Sequence, residues 1–431
     1  MPDLTQRFPI RGEEPRNSLR DGARSIDRNA HLAGVPMNVC MLAYSYYETD
    51  NRIRRYAESL RDRGDTVDVI ALKRKGESDF DVVGGVNVYR IQERVLNEKK
   101  SITYLFRVMK FLVRSTLVLT RRHKELPYDA VHVHSPPDFE VFAALFIKCL
   151  GTRVILDIHD IVPEFYAAKF GATNDSLVFR CLVWVERLSI LFSDHVIISN
   201  HLWYERLISR SVTPDKCTVL LNYPDNALFY SRGQKLNGAG EFKIIYPGTL
   251  NWHQGVDIAV KAFSRVADQI PNARFYIYGD GPQRPFLAKL ISELGLGDKV
   301  FLKGLKSLDE IARIMADADL GVVPKRNDAF GGDAFSTKTF EFMALGVPIV
   351  LSRTRIDAYY FNDSVVKFFD PENTDDLASS FLELANNEKR RKGLIENASN
   401  FITEFRWDRK RTDYWAILER LVGKNVSHNA R

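Results

Sequence analysis

Residues 331–350 read GGDAFSTKTFEFMALGVPIV, which is a loop, a helix and the start of a strand in one short stretch. Gly331 and Gly332 permit a tight turn, and Ser336 or Thr337 stands where a helix cap belongs. The apolar run reaches Leu345. Gly346 then fits the left-handed position past the helix end, and Pro348 leads into a strand.

The same alternation runs through the chain. Lys243–Tyr246, Arg274–Tyr278, Val300–Leu302, Leu320–Val323 and Pro348–Leu351 read as strands with helices between them. An earlier series reads Val39–Ala43, Thr66–Ala71, Ala130–His134, Val154–Ile158 and His195–Ser199, again separated by helical patterns. Strands alternating with helices predict parallel sheets covered on both faces. Residues 231–241, rich in glycine and polar groups, divide the two series as a linker. The expected fold class is therefore α/β, with two Rossmann-like, doubly wound domains facing a cleft. They span 37–230 and 242–405. Residues 406–431 hold a last helix, with Tyr414, Trp415, Ile417 and Leu418, placed to pack back on the first domain. In open sheets of this kind ligands bind beyond the carboxyl ends of the strands.

A chain of 431 residues exceeds one ordinary core, in keeping with two domains. Residues 1–36 mix six arginines with five acids and hold no apolar h-region, so they read as a flexible tail on a cytoplasmic protein. No run approaches the ~20 apolar residues of a membrane span. The four cysteines are scattered and read as free thiols. Between Arg94 and Lys124 stand nine Lys/Arg against one acid, interleaved with apolar residues. Such a helix suits an anionic membrane surface or an acidic partner, while an ordinary helix with one core face has the same pattern. No nucleic-acid motif accompanies it, so nucleic acid is not an expected partner.

The helix start near residue 337 is also a candidate anion site. Unpaired amides and the positive dipole end suit phosphate, and Lys338 adds a full charge. Asp333 lies in the loop ahead. Glu341 sits between Phe340 and Phe342, where a carboxylate needs a hydrogen-bonding partner such as a ribose diol.

The pattern Asp333-x7-Glu341, followed by FMALGVPIV, resembles the acid-x7-Glu signature of retaining glycosyltransferases with the GT-B fold. It is most similar to glycosyltransferase family 4, in the branch that builds bacterial exopolysaccharide, capsule or O-antigen. Other stretches agree in order: Asp129–His134, Asp194–Ser199, Asn222–Asp225, Tyr246–Gly255, Tyr278–Pro282 and Ala316–Leu320. The resemblance implies an enzyme moving a sugar from a nucleoside diphosphate, UDP being commonest, to a glycan acceptor. That acceptor is expected to be lipid-linked at the inner membrane face. Glu341 would hold the ribose and Asp333 the sugar hydroxyls. The amides of Ala334 and Phe335, with Lys338, would receive the diphosphate. Gly248, Thr249, Gly281 and Leu305 would line the donor site, the last beside the base. His159 would face the reacting sugar. Tyr46, Arg52, Asp160 and Glu164 are the acceptor candidates.

One departure matters. The loop after residue 247 lacks the Arg and Lys usual in the family, leaving His253 and Gln254 there. Lys338, His253, Lys325 and Arg326 are the candidate substitutes. Asp317-x-Asp319 reads as structural, no His/Cys/carboxylate cluster has metal-ligand spacing, and neither a cofactor nor a metal is expected. The alternatives are an epimerase or phosphorylase of the same fold, or a non-catalytic binding subunit.

Overall fold

The computed structural model describes residues 35–94, 101–170, 176–231, 233 and 240–426. The tail and most of the linker lie outside the described residues, as do residues 95–100 of the basic stretch.

The first domain is an eight-stranded sheet, ordered β3-β4-β2-β1-β5-β6-β7-β8. Its strands are β1 Asn38–Ala43, β2 Thr66–Lys73, β3 Phe80–Val83, β4 Val86–Glu93, β5 Ala130–Ser135, β6 Arg153–Ile158, β7 His195–Ile198 and β8 Cys217–Val219. Its helices are α1 Asn51–Arg63, α2 Ser101–Glu125, α3 Leu145–Lys148, α4 Val162–Phe170, α5 Leu177–Phe192 and α6 His201–Arg210. The second sheet runs β11-β10-β9-β12-β13-β14 and is parallel throughout. It comprises β9 Phe242–Pro247, β10 Ala273–Tyr278, β11 Val300–Lys303, β12 Leu320–Val323, β13 Ile349–Ser352 and β14 Lys367–Phe369. Around it stand α7 Val256–Val266, α8 Arg284–Glu293, α9 Leu308–Ala316, α10 Thr337–Leu345, α11 Arg355–Tyr360, α12 Thr374–Asn386 and α13 Glu388–Ile402. The chain ends in α14 Trp407–Val426.

Strands β5, β7, β12 and β13 are buried along their whole length; β12 reads as a continuous apolar run and β7 and β13 nearly so, while β5 carries His132 and His134 inside. The first sheet departs from the all-parallel expectation at one edge. β3 pairs antiparallel with β4 through a hairpin turning at Gly84 and Gly85, both at positive φ. The two glycines supply the positive φ a tight hairpin turn needs, and β3 and β4 are strands that the sequence analysis did not assign.

Strand order reverses beside β1 in the first sheet and beside β9 in the second. The loops after β9 and β12 therefore flank a crevice at the carboxyl edge of their sheet. α1 and α14 cover one face of the first sheet, whereas α2, α3 and α5 pack with the 3₁₀ segment Asp138–Ala144 on the other. α14 returns to the first domain, where the Tyr414 hydroxyl lies 2.9 Å from His132 Nδ1 and Arg63 pairs with Glu419 at 3.1 Å.

Glu140 lies in that 3₁₀ segment, fully buried, with neither carboxylate oxygen hydrogen-bonded. Burial pushes its carboxyl up to about 9. The folded state then holds a proton that the unfolded chain releases above the ordinary carboxylate range, so stability falls as pH rises from there toward 9. Glu140→Gln is expected to raise the thermal midpoint at pH near 8, by the equivalent of a few kcal/mol at most, and to leave it unchanged near pH 4. Thermal scans at the two pH values test this. An equal shift at both would show that the charge is not the cause.

Candidate active site

Three loops and one helix start build the crevice of the second domain. The amide of Gly248 donates to the Tyr278 carbonyl at 2.8 Å, and that of Leu250 to Asp280 O at 2.9 Å, which locks the β9 and β10 loops side by side. Gly248 has φ +147°, and a Cβ there would lie 2.2 Å from Lys338 Cε. Glycine is thus required for Lys338 to cross that loop. The Tyr246 hydroxyl donates to Thr249 O at 2.8 Å, and Gln254 Oε1 accepts from Lys338 Nζ at 3.4 Å.

The candidate cations separate sharply here. Lys325 is buried, pairs with Asp357 at 2.9 Å and donates to Ala334 O at 2.7 Å. Arg326 is buried too, paired with Asp257 at 2.9 Å and lying 4.5 Å over the Trp252 ring. His253 is held toward its neutral form by burial. These three are not the expected substitutes for the missing pair, because two are already neutralised and the third is uncharged. Lys338 differs. No carboxylate lies within ion-pair distance of it among the described residues, and burial pushes its amine down to about 8. A desolvated cation without a counterion is what an incoming anion neutralises best.

The helix it stands on is also open at its start. Ser336 occupies the cap position of α10, but its hydroxyl makes no cap bond and is buried without a partner. Gly346 at the far end has φ 73°, as the sequence required. One expected donor is spent, since the Ala334 amide closes a turn on Phe330 O at 2.9 Å. Phe335 instead packs its ring against Phe340, 4.8 Å between centroids, and lines the cavity described below.

Glu341 lies one turn beyond Lys338 and makes no ion pair among the described residues. Burial raises its carboxyl, opposed by Lys338 and then Arg55. Arg55 went unnoticed in the sequence. It comes from α1, is buried, bonds Asn222 Oδ1 and leaves its Nε without a partner. Burial, then the neighbouring Arg52, pushes its guanidinium down to about 10. Nothing in the arginine-rich α1 segment marked which of its arginines turns inward.

Asp333 is engaged in a different way from the expectation. Its carboxylate is 3% exposed and accepts from Arg206 of α6 at 2.8 Å and from Arg355 at 2.7 Å, so it bridges the two domains rather than standing open to a sugar. Removing it leaves two cations facing each other. Asp333→Ala is expected to lower the thermal midpoint by the equivalent of about 1–3 kcal/mol, the partners being partly solvated. An unchanged midpoint would show that the bridge does not hold in solution.

Across the crevice, a cavity of about 210 Å³ is lined by Asp50, Arg52, His159 and Asp160 from the first domain and by Phe335 and Thr337 from the second. His159 Nε2 lies 3.2 Å from Asp157 Oδ2 and 3.2 Å from His134 Nδ1. Burial opposes ionisation of Asp157, yet Arg52 and then His159 hold its carboxyl well below the usual range. Burial drives His132 and His134 toward neutrality. Arg52 binds Asp157 with two bonds, 2.8 and 2.7 Å, so it fixes this carboxylate instead of gripping an acceptor. Glu164 is likewise committed, accepting from Arg210 at 3.1 Å. Asp160 remains a cavity carboxyl, raised by burial. Tyr46 lines a neighbouring hollow of about 370 Å³, under the Arg74 guanidinium.

His132, His134 and Asp157 do bring ligand-type atoms within 4.8 Å of one another, a cluster the sequence spacing did not disclose. The Arg52 guanidinium already occupies both carboxylate oxygens, which disfavours a second cation there.

The chain matches the glycosyl transferase 4-like domain over residues 49–222 and the glycosyl transferases group 1 family over 231–401. These are the two halves that face each other across the crevice. The chain is a GT-B glycosyltransferase. An uncharacterised glycosyltransferase of Methanocaldococcus jannaschii is 26% identical to it, covering 82% of this chain and 89% of that one. In fold the transferase is similar to sucrose-phosphate synthase of Thermosynechococcus elongatus, with TM-score 0.74, 18% identity and coverage of 90% and 100% of the two chains. It also resembles Anabaena HepE in complex with UDP-glucose, with TM-score 0.65, 16% identity and coverage of 91% and 100%.

Of the residues read from the transferase's sequence, Gly248, Thr249, Gln254 and Lys338 come together around the open helix start, with Glu341 one turn further on. Gly281 closes the turn beside Leu250. Leu305 stands 75% exposed in the loop after β11. A larger groove, about 790 Å³, lies between β4 and α2, away from all of these.

Proposed function

We propose that the transferase takes its sugar from a nucleoside diphosphate donor, UDP being the nucleotide, and transfers it with retention to a lipid-linked glycan at the inner membrane face. One observation carries the donor reading. An uncapped helix start holds a lysine, and one turn on a carboxylate, neither of which has an ion-pair partner within salt-bridge distance among the described residues, and this start opens toward His159 across the cavity. The diphosphate would meet the amides at the start of α10 and Lys338, where its charge grows as the bond to the sugar breaks. Glu341 would accept from the ribose hydroxyls. His159, oriented by Asp157, would face the sugar, and Asp160 the acceptor. The Anabaena structure with UDP-glucose supports this class of donor. No metal is assigned a role, and a chelator is expected to leave turnover unchanged. Residues of α2, whose Lys110, Arg114, Arg121 and Lys124 are exposed, would meet the membrane. No helix among the described residues is long and apolar enough to cross one.

Nucleotide release from a panel of UDP-, GDP- and ADP-sugars, with and without a lipid extract, tests the reading. Release from one donor class, stimulated by lipid, is expected. Binding of every donor without release would sink it.

A further inference from the structure

Three helices of the first domain, α2, α3 and α5, turn apolar residues outward. On α2 these are Leu105, Met109, Val113 and Leu117, one stripe at helical spacing. On α3 and just after it they are Leu145, Phe146 and Leu150. On α5 the solvent side carries Leu177, Cys181, Trp184, Leu188 and Leu191, spaced four, three, four and three. Exposure is large, reaching 77% at Leu177 and 76% at Leu191. Among the described residues of the second domain the exposed large apolar residues are Trp252, Phe286, Leu294 and Leu305, of which only Phe286 and Leu294, within and at the end of α8, share an element.

The three helices lie side by side. α2 and α5 both pack on the 3₁₀ segment Asp138–Ala144, and α3 continues from it, so their outer sides form one surface. Contiguous apolar area of this extent on a soluble protein marks a partner. The charges say which. Lys110, Arg114, Arg121 and Lys124 are exposed on α2, and Arg180 and Arg187 on α5. The acids on these helices are Glu125, paired with Arg122, and Glu186, buried and paired with Arg210. Two copies meeting through this face would set basic against basic, which opposes a dimer. A single partner helix would cover one stripe and leave two others wet. A broad apolar face rimmed by cations, with a tryptophan on it, matches an anionic lipid surface.

We propose that α3 and α5 share with α2 one lipid-facing surface, on which the transferase lies against an anionic bilayer. This rests on the lipid-linked acceptor reading and extends its membrane contact from one helix to three.

The test is sedimentation of the full chain with vesicles of phosphatidylcholine alone or mixed with phosphatidylglycerol. Co-sedimentation is expected only with the anionic vesicles. The variant carrying Trp184→Glu, Leu188→Glu and Leu191→Glu should partition about tenfold or more weakly, with its thermal midpoint unchanged because these side chains are exposed. Brominated lipid should quench the tryptophan emission of the wild type more than that of Trp184→Phe. Wild-type partitioning of the triple variant, with loss confined to Lys110→Glu and Arg114→Glu, would overturn the proposal. So would a lipid-free dimer that the triple variant dissolves. UDP affinity, measured in parallel, reads the donor site separately: vesicle binding without UDP binding would count against the donor reading and leave the surface standing.

Discussion

Lys338→Ala is expected to lower turnover by about a hundredfold to a thousandfold, the range seen when one preorganised group at a developing charge is removed. The size follows from what surrounds the lysine. Lys325 and Arg326, the other permanent cations nearby, are bound to Asp357 and Asp257, and His253 is kept neutral. On the proposed reading Lys338 would therefore carry the diphosphate charge without a stand-in. The thermal midpoint should not fall, because a desolvated cation with no counterion contributes no stability. A pH signature comes with it. The free amine titrates at about 8, so the charged form declines as pH rises through that value, and donor affinity declines with it. Bound diphosphate favours the charged form and draws the titration upward. Turnover at low donor concentration should therefore drop on the alkaline side near pH 8, and saturating donor should move that limb to higher pH. Lys338→Arg would shift the limb out of range. A wild-type limb unmoved by donor would contradict the assignment.

Glu341→Ala is expected to cost about a hundredfold or more in kcat/KM for the donor, since hydrogen bonds from ribose hydroxyls to a carboxylate are worth about 1.5–3 kcal/mol each. Glu341→Gln separates charge from shape, retaining an acceptor oxygen and losing the ion. Burial raises the Glu341 carboxyl, so activity should fall on the acid side earlier than an ordinary glutamate predicts, and the Gln variant should lose that limb. Stability responds differently from the Asp333 case, because Glu341 makes no ion pair to break. Arg55 loses a favourable neighbour, yet it is already held by Asn222. Normal donor kinetics in Glu341→Ala would remove the ribose role.

The fold was legible because its signals are local. Continuous apolar strands and the Gly346 helix end are each set by a few neighbouring residues, whereas the Gly84-Gly85 hairpin was not read. The site was legible where a glycine or a helix start dictates geometry, as at Gly248 and the beginning of α10. It was not legible where partners come from distant segments. Nothing near Asp333 reveals that Arg206 and Arg355 meet it, and nothing near Lys325 reveals Asp357. Those pairings change a sugar-contacting acid into a bridge between domains, and phosphate-binding candidates into structural ions. The inward turn of Arg55 and the gathering of His132, His134 and His159 on Asp157 likewise follow from strand register and helix phase in the assembled domain.

Calorimetric titration of UDP, at a pH about one unit above the Lys338 value and in two buffers of different ionisation heat, tests the central claim most directly. The wild type is expected to bind UDP with uptake of a fraction of a proton, as the diphosphate recharges the amine. Lys338→Ala should bind at least about tenfold more weakly and take up none. Equal affinity and equal proton uptake in the two proteins would contradict a donor site at the start of α10.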